Sequence, residues 1–85
     1  MSKKEKLLDK ISRKPVPRDF TVTELHQLMG LCGCEKEETR GGSSVKYLHK
    51  KTGQIFTIHL PHPGKELYID IVRRAVQFLT DIGEL

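Results

Sequence analysis

The histidines and basic residues between positions 40 and 65 are the side chains of this sequence best suited to proton transfer on a phosphate. His49, His59 and His62 lie in this stretch, together with five Lys or Arg residues and no Asp or Glu. Imidazole titrates near neutral pH, so it can accept or donate a proton. Lysine and arginine neutralise and position a phosphate backbone. The pattern therefore predicts a phosphate-binding surface that carries acid–base groups.

Positive charge is concentrated in two blocks of the chain. Residues 1–18 and residues 40–65 each carry a net charge of +5, whereas residues 19–39 carry −4 and residues 66–85 carry −2. Such separation favours local contacts with an anion over a generally basic surface.

The size and composition of the chain predict one small globular domain. It has 85 residues, of which 36% are hydrophobic and 31% are charged. No apolar run approaches the roughly 20 residues that a bilayer span requires. The basic N-terminus is not followed by the apolar segment of a signal peptide, so we expect a cytoplasmic protein without membrane contact.

The two cysteines, Cys32 and Cys34, are only two positions apart. Cytosolic thiols are normally kept reduced. A set of these thiols with His59 and His62 lacks a recognised zinc spacing. We therefore expect no metal and no cofactor.

A short helix is predicted at the N-terminus. Ser2 and Glu5 have the spacing of a capping box, and the helix must end before Pro15. We expect residues 1–18 to form this helix and a linker, and residues 19–85 to form the functional domain.

A second helix follows the linker. Thr21 and Glu24 have the capping-box spacing, and Gly33 suits the left-handed residue that ends a helix. His26 falls on the polar side of this helix, where we expect it to be solvated.

The basic stretch itself alternates in the manner of β-strands. An edge strand is predicted over 34–40, followed by strands over 45–49 and 54–60, with Gly53 in the hairpin connection. A final amphipathic helix begins at Leu67. Three residues of the second strand share one face, opposite to Ser44: Val45, Tyr47 and His49. On the third strand, Phe56, Ile58 and Leu60 lie opposite to Ile55, Thr57 and His59.

This order of elements predicts an α+β two-layer domain. Helices are expected to cover one face of the sheet and to leave the other face available to a ligand.

Two motifs in the basic stretch resemble a known family. Gly42, Ser43, Tyr47 and His49 form G-S-x-x-x-Y-x-H, and residues 62–67 have the pattern H-x-G-K-E-L. The combination resembles the HicA family, the RNA-cleaving toxins of bacterial toxin–antitoxin pairs. The resemblance covers roughly residues 20–85, and the first helix is an extension.

The resemblance implies both a fold and an activity. The fold would be like the double-stranded-RNA-binding domain, α-β-β-β-α. The activity would be that of an mRNA interferase, a metal-independent endoribonuclease that a cognate HicB-like antitoxin neutralises. No cofactor and no DNA-specific contact are implied.

One position departs from the family pattern. Where much of the family has the histidine held to be catalytic, this chain has Ser44. A serine hydroxyl cannot act as a base at neutral pH, although it can hydrogen-bond a phosphate. Either another histidine transfers the proton, or the chain binds RNA without cutting it. The catalytic candidates are Ser44, as the family position, and His49, His59 and His62.

RNA contacts are expected from basic and polar side chains of the same stretch, and Tyr47 could stack on a base or pack in the core. The candidate RNA-binding residues are Arg40, Ser43, Lys46, Tyr47, Lys50, Lys51 and Lys65. Two alternatives stay open: an RNA-binding module of this fold without catalysis, and a basic protein that docks an acidic partner.

Overall fold

The computed structural model describes residues 2–38, 44–59 and 66–85. These residues form three helices and one antiparallel sheet of three strands. The elements in chain order are α1 (Lys3–Ile11), α2 (Val22–Leu31), β1 (Cys34–Glu38), β2 (Ser44–His49), β3 (Ile55–His59) and α3 (Ile69–Asp81). The predicted α+β class is confirmed. Within these residues no helix has the length and apolar character needed to cross a bilayer.

The predicted starts of the first two helices are confirmed by their caps. Ser2 Oγ accepts a hydrogen bond from the Glu5 backbone N–H at 3.1 Å. Thr21 Oγ1 accepts one from Glu24 N–H at 3.2 Å, while Glu24 Oε1 accepts one from Thr21 N–H at 3.0 Å. These three backbone donors would otherwise lack a partner at the start of each helix. Gly33 has a φ of 82° after α2, as its predicted role requires.

The sheet has the strand order β1-β2-β3, and its alternation follows the prediction. Three residues of β2 and two of β3 are buried on the face toward the helices: Val45, Tyr47, His49, Phe56 and Ile58. Leu60, expected on the same face, lies outside the described residues.

The core lies between this face and the helices. All three helices contribute to one hydrophobic cluster, through Leu7 and Ile11 of α1, Leu25 of α2, and Val72 and Leu79 of α3 among others. Burying a side chain of this size stabilises the fold by about 1.5–3 kcal/mol.

The N-terminal helix is held to the domain by ion pairs of Lys4 and Lys10 as well as by its apolar side chains. Lys10 Nζ lies 2.9 Å from Glu24 Oε2 on α2, and Lys4 pairs with Glu84 near the C-terminus. The α1 extension thus shares the core of the remainder of the described chain.

The last helix begins two residues later than its hydrophobic pattern predicts. Leu67 N–H donates a hydrogen bond to Phe20 O at 2.8 Å, and Glu66 forms an isolated antiparallel bridge with Thr21. These contacts hold residues 66–67 extended against the start of α2. The helix therefore begins at Ile69 rather than at Leu67.

Candidate nucleic-acid interface

The sheet face opposite the helices, named the free face here, is formed by every second residue of the three strands. Its side chains from β2 and β3 form three directly opposed pairs: Ser44–His59, Lys46–Thr57 and Leu48–Ile55. Glu37 and Glu35 of β1 lie opposite Lys46 and Leu48 on the other side of β2. Lys46, His59 and both glutamates are exposed, and Ile55 exposes 59% of its surface.

Ser44 and His59 are direct partners at one end of the free face. At the other end of the hairpin, His49 N–H donates to Gln54 O at 2.9 Å. His49 and Gln54 are thus a hydrogen-bonded pair. Hydrogen-bonded and non-hydrogen-bonded pairs alternate along an antiparallel ladder, and Ser44–His59 is the fifth pair beyond His49–Gln54, so it is a non-hydrogen-bonded pair. In such pairs the Cβ atoms are about 4.5–5.5 Å apart. A hydroxyl and an exposed imidazole therefore stand side by side.

Lys46 is the next residue of β2 on the free face, and its ammonium group is exposed. It brings a cation beside the Ser44–His59 pair. Glu37, directly opposite on β1, partly offsets this charge. Among the described residues of the free face, the single lysine is therefore on β2 and the two acids are on β1, while β3 contributes no Asp, Glu, Lys or Arg.

His49 does not belong to this site, although the sequence made it a catalytic candidate grouped with His59. It is 6% exposed on the core face, and its Nδ1 lies 2.8 Å from Thr52 Oγ1. Its partner on β1 is Cys34. His49 is five residues from Ser44 along β2, or about 17 Å at the rise of a strand. The two catalytic candidates His49 and His59 therefore lie at opposite ends and on opposite faces of the sheet.

Tyr47 packs in the core and does not present its ring to a base. It is 1% exposed and stacks against Phe56, with ring centroids 6.4 Å apart. Its hydroxyl contacts Nδ1 of His26 on α2. Burial raises the pKa of the Tyr47 hydroxyl, which stays protonated. Of the two roles left open for Tyr47, the structure shows packing, so its listing as an RNA-binding candidate is corrected. His26 is half-buried rather than solvated.

The two lysines of the hairpin connection lie far from the Ser44–His59 pair. Lys50 and Lys51 are exposed in the connection between β2 and β3, at the end of the sheet where His49 lies. Lys50 Nζ lies 3.3 Å from Glu35 Oε1. The described lysines of the basic stretch are therefore divided between Lys46 on the free face and Lys50 and Lys51 at the closed end of the hairpin.

Four of the predicted site residues lie outside the described residues: Arg40, Ser43, His62 and Lys65. In the chain, Arg40 and Ser43 precede Ser44 at the start of β2, and His62 and Lys65 follow His59 at the end of β3.

The cysteines are buried thiols of the core. Burial raises the pKa of Cys32 to about 12, and a hydrogen bond with Glu84 acts in the same direction. Burial also raises the pKa of Cys34. Cys34 lies on the core face opposite His49, whereas His59 lies on the free face at the far end, so these two side chains cannot share an ion. In the described part of the chain, no group of three or more His, Cys, Asp or Glu side chains could hold a metal.

Arg74 of α3 contacts β3 near the site, a role that the sequence did not suggest. Its Nη2 donates to Thr57 O at 3.0 Å, and its guanidinium lies 5.6 Å from the ring centre of Phe56. The contact fastens α3 to the outer edge of β3, two residues from His59. An amphipathic pattern indicates only that Arg74 faces away from the core, so this contact had no sequence signal.

The free face thus combines a hydroxyl, an imidazole and an ammonium group at one end of a rigid sheet. This set can bind a phosphate group and exchange one proton with it. Comparisons of the chain with protein-family models, with curated proteins and with solved structures found no match.

Proposed function

We propose that this protein is a HicA-like toxin, a metal-independent endoribonuclease that binds mRNA on the free face of a domain like the double-stranded-RNA-binding fold. The observation that carries the proposal is the direct pairing of Ser44 with His59, with Lys46 beside them. The resemblance of the G-S-x-x-x-Y-x-H and H-x-G-K-E-L motifs supports the same activity. Such an enzyme acts in the cytoplasm, where its mRNA substrate is found.

In this proposal His59 transfers the proton. Its imidazole accepts the proton of a ribose 2′-hydroxyl as the 2′-oxygen forms a bond to the adjacent phosphorus. The bond from phosphorus to the 5′-oxygen breaks, and the imidazolium returns the proton to that oxygen. Ser44 donates a hydrogen bond to a non-bridging phosphate oxygen, and Lys46 offsets the negative charge of the phosphorane.

The test is an RNA cleavage assay with purified protein in EDTA. The wild-type protein is expected to cut single-stranded RNA, and Ser44→His is expected to cut it faster because a second imidazole then faces His59. If neither protein cuts RNA, the enzymatic proposal fails. Lys46→Ala should slow cleavage, because it removes the charge that offsets the phosphorane. Lys51→Ala is its matched control, because it removes the same charge at the far end of the hairpin.

A second function, RNA binding without cleavage, is favoured by one observation. Among the described residues, His59 is the sole histidine on the free face, because His49 is buried and His26 contacts Tyr47 from the helix side. Position 44 supplies a hydroxyl where a second imidazole would complete an acid–base pair. This function predicts salt-dependent retention of intact RNA. Its binding should weaken in Lys46→Ala.

A HicB-like antitoxin is the proposed protein partner, and the free face is its proposed docking surface. Leu48 and Ile55 form an apolar pair there, beside exposed charges. An antitoxin that covers this pair would also cover His59 and Lys46. If the face instead docks an acidic protein unrelated to RNA, the purified chain will bind that protein and show no affinity for RNA.

A further inference from the structure

A groove separate from the free face lies between the N-terminal linker and α3. Its volume is about 480 Å³, within the roughly 300–1,000 Å³ of ligand sites. The residues that line it are Pro15, Val16, Pro17, Arg18, Ile69 and Arg73. We refer to it as the linker groove. Its floor is mainly apolar, and its lining carries two arginines and no acid.

The two arginines of the linker groove are available to an anion. Arg18 and Arg73 are exposed, and neither forms a salt bridge with another described residue. By contrast, Arg13 of the same linker lies 3.7 Å from Asp9. A guanidinium pairs with phosphate through two parallel hydrogen bonds and also stacks on planar groups. The groove therefore fits a ligand that has both a phosphate and a flat apolar part.

An exposed aromatic residue adjoins the groove in the chain. Tyr68 directly precedes the lining residue Ile69 and exposes 59% of its surface. Its side chain makes no capping hydrogen bond to α3. Exposed tyrosines and arginine planes are the platforms on which single-stranded bases stack. An acidic peptide would use the arginines but would gain little from the aromatic ring.

We propose that the linker groove anchors a second segment of the single-stranded RNA bound at the free face. This inference rests on the proposed RNA binding. Arg73 of the linker groove directly precedes Arg74, whose Nη2 donates to Thr57 O at the outer edge of β3. In the proposed arrangement, one strand leaves the free face over this edge and continues to the groove. Joining two weak sites on one strand raises affinity without any new contact at either site.

The experiment measures binding of a fluorescent single-stranded RNA by anisotropy over a range of salt concentrations. The full chain is compared with an Arg18→Ala, Arg73→Ala double variant. The matched control is Arg13→Ala with Lys14→Ala, which removes the same charge from the exposed linker without touching the groove lining. We expect the groove variant to bind about tenfold more weakly and its salt slope to fall by about 1.4, the value for two phosphate contacts on a single strand.

A second variant separates RNA from a protein ligand. Tyr68→Leu keeps the charge of the groove and should weaken RNA binding by about fivefold or more if a base stacks there. A poly-glutamate peptide serves as the competing ligand. If the peptide binds in a manner that needs Arg18 and Arg73 and RNA does not displace it, the groove is a protein site and the inference is overturned.

The two proposals fail in different ways. If the wild-type chain does not bind RNA, both the proposed function and the second anchor are wrong. If the wild-type chain binds RNA and the groove variant binds it as tightly as the control variant does, only the second anchor is wrong. Loss of affinity in both double variants to the same extent would show a general charge effect and would also overturn the anchor.

Discussion

The two ends of the β2–β3 hairpin hold the same types of side chain in opposite settings. At the open end, His59 faces solvent beside Ser44; at the closed end, His49 faces the core beside Thr52. Both are histidines of a basic stretch with no acidic residue. Strand alternation and register, rather than proximity in sequence, therefore decide which imidazole can reach a substrate.

The largest expected effect is on catalysis at the open end. His59→Ala should reduce RNA cleavage by about 10²–10⁴-fold, because it removes the group that transfers the proton. Its free energy of unfolding should change by less than about 0.5 kcal/mol, since the side chain is exposed. Single-turnover cleavage and urea denaturation measure the two quantities. Cleavage that persists in this variant would assign the chemistry to another group.

At the closed end, the effect should be on stability. His49→Ala should lower the free energy of unfolding by about 1–3 kcal/mol, because it leaves a cavity and removes the hydrogen bond to Thr52. RNA cleavage per folded molecule should stay unchanged. Urea denaturation, with cleavage measured well below the unfolding midpoint, tests both. If the rate falls as far as in His59→Ala, the contrast between the two ends is wrong.

Tyr47→Phe should have a smaller effect that sharpens the assignment of the core face. The variant removes the hydroxyl that contacts His26 while keeping the ring stacked on Phe56, so we expect a loss of about 0.5–1.5 kcal/mol of stability. Affinity for RNA should not change, and fluorescence anisotropy measures it. If RNA binding weakened while stability stayed equal, Tyr47 would be an RNA-contacting residue and the assignment to the core would be wrong.

The smallest expected effect is a loss of stability at acid pH near the closed end, where Glu84 lies near His49. The hydrogen bond from Lys4 lowers the pKa of Glu84 although burial opposes it, and the thiol of Cys32 adds a further lowering contact. Because the pKa of Glu84 is lowered in the folded state, the Lys4–Glu84 pair stabilises the fold fully at pH values above the ordinary pKa of a glutamate. This stabilisation is lost as the pH falls through the lowered pKa of Glu84 in the folded protein. The contribution should be under about 1 kcal/mol.

Two measurements check this effect. The protection of the α1 amides against hydrogen exchange, relative to their intrinsic rates, should fall at acid pH more than the protection of the β2–β3 ladder does. Glu84→Gln should remove that difference between neutral and acid pH, whereas Glu5→Gln at the exposed start of α1 should not. An acid response unchanged by Glu84→Gln would assign it to another pair, such as Lys10–Glu24, where the pKa of Glu24 is also lowered: burial raises it, but hydrogen bonds from Lys10 and Thr21 outweigh that.

Local signals predicted most of the fold. The capping residues Ser2 and Thr21 marked two helix starts, and the alternation from Val45 to His49 gave the faces of β2 correctly. These features depend on neighbours within a few residues, which a sequence displays directly. The late start of α3 depends instead on the contact of Leu67 with Phe20, which joins distant parts of the chain. No local pattern reports such a contact.

The candidate site was predictable in part. The four-residue connection 50–53 makes His49 and Gln54 partners, and counting five residues back along each strand brings Ser44 to His59. The signal was therefore present, although the alternation was used only to assign the faces of each strand and not to pair residues across the hairpin. The burial of Tyr47 was not predictable, because a tyrosine on a half-buried sheet can serve the core or the surface with the same spacing.

The length of the hairpin turn decides whether Ser44 and His59 are paired across the sheet. Gly53, with a φ of 75°, closes a connection of fixed length at the far end of the sheet from Ser44 and His59. The length of the turn sets the register of the two strands, and so it aligns two side chains about 17 Å away. Inserting one residue into it would bring Ser44 out of step with His59 while leaving every residue of the site intact.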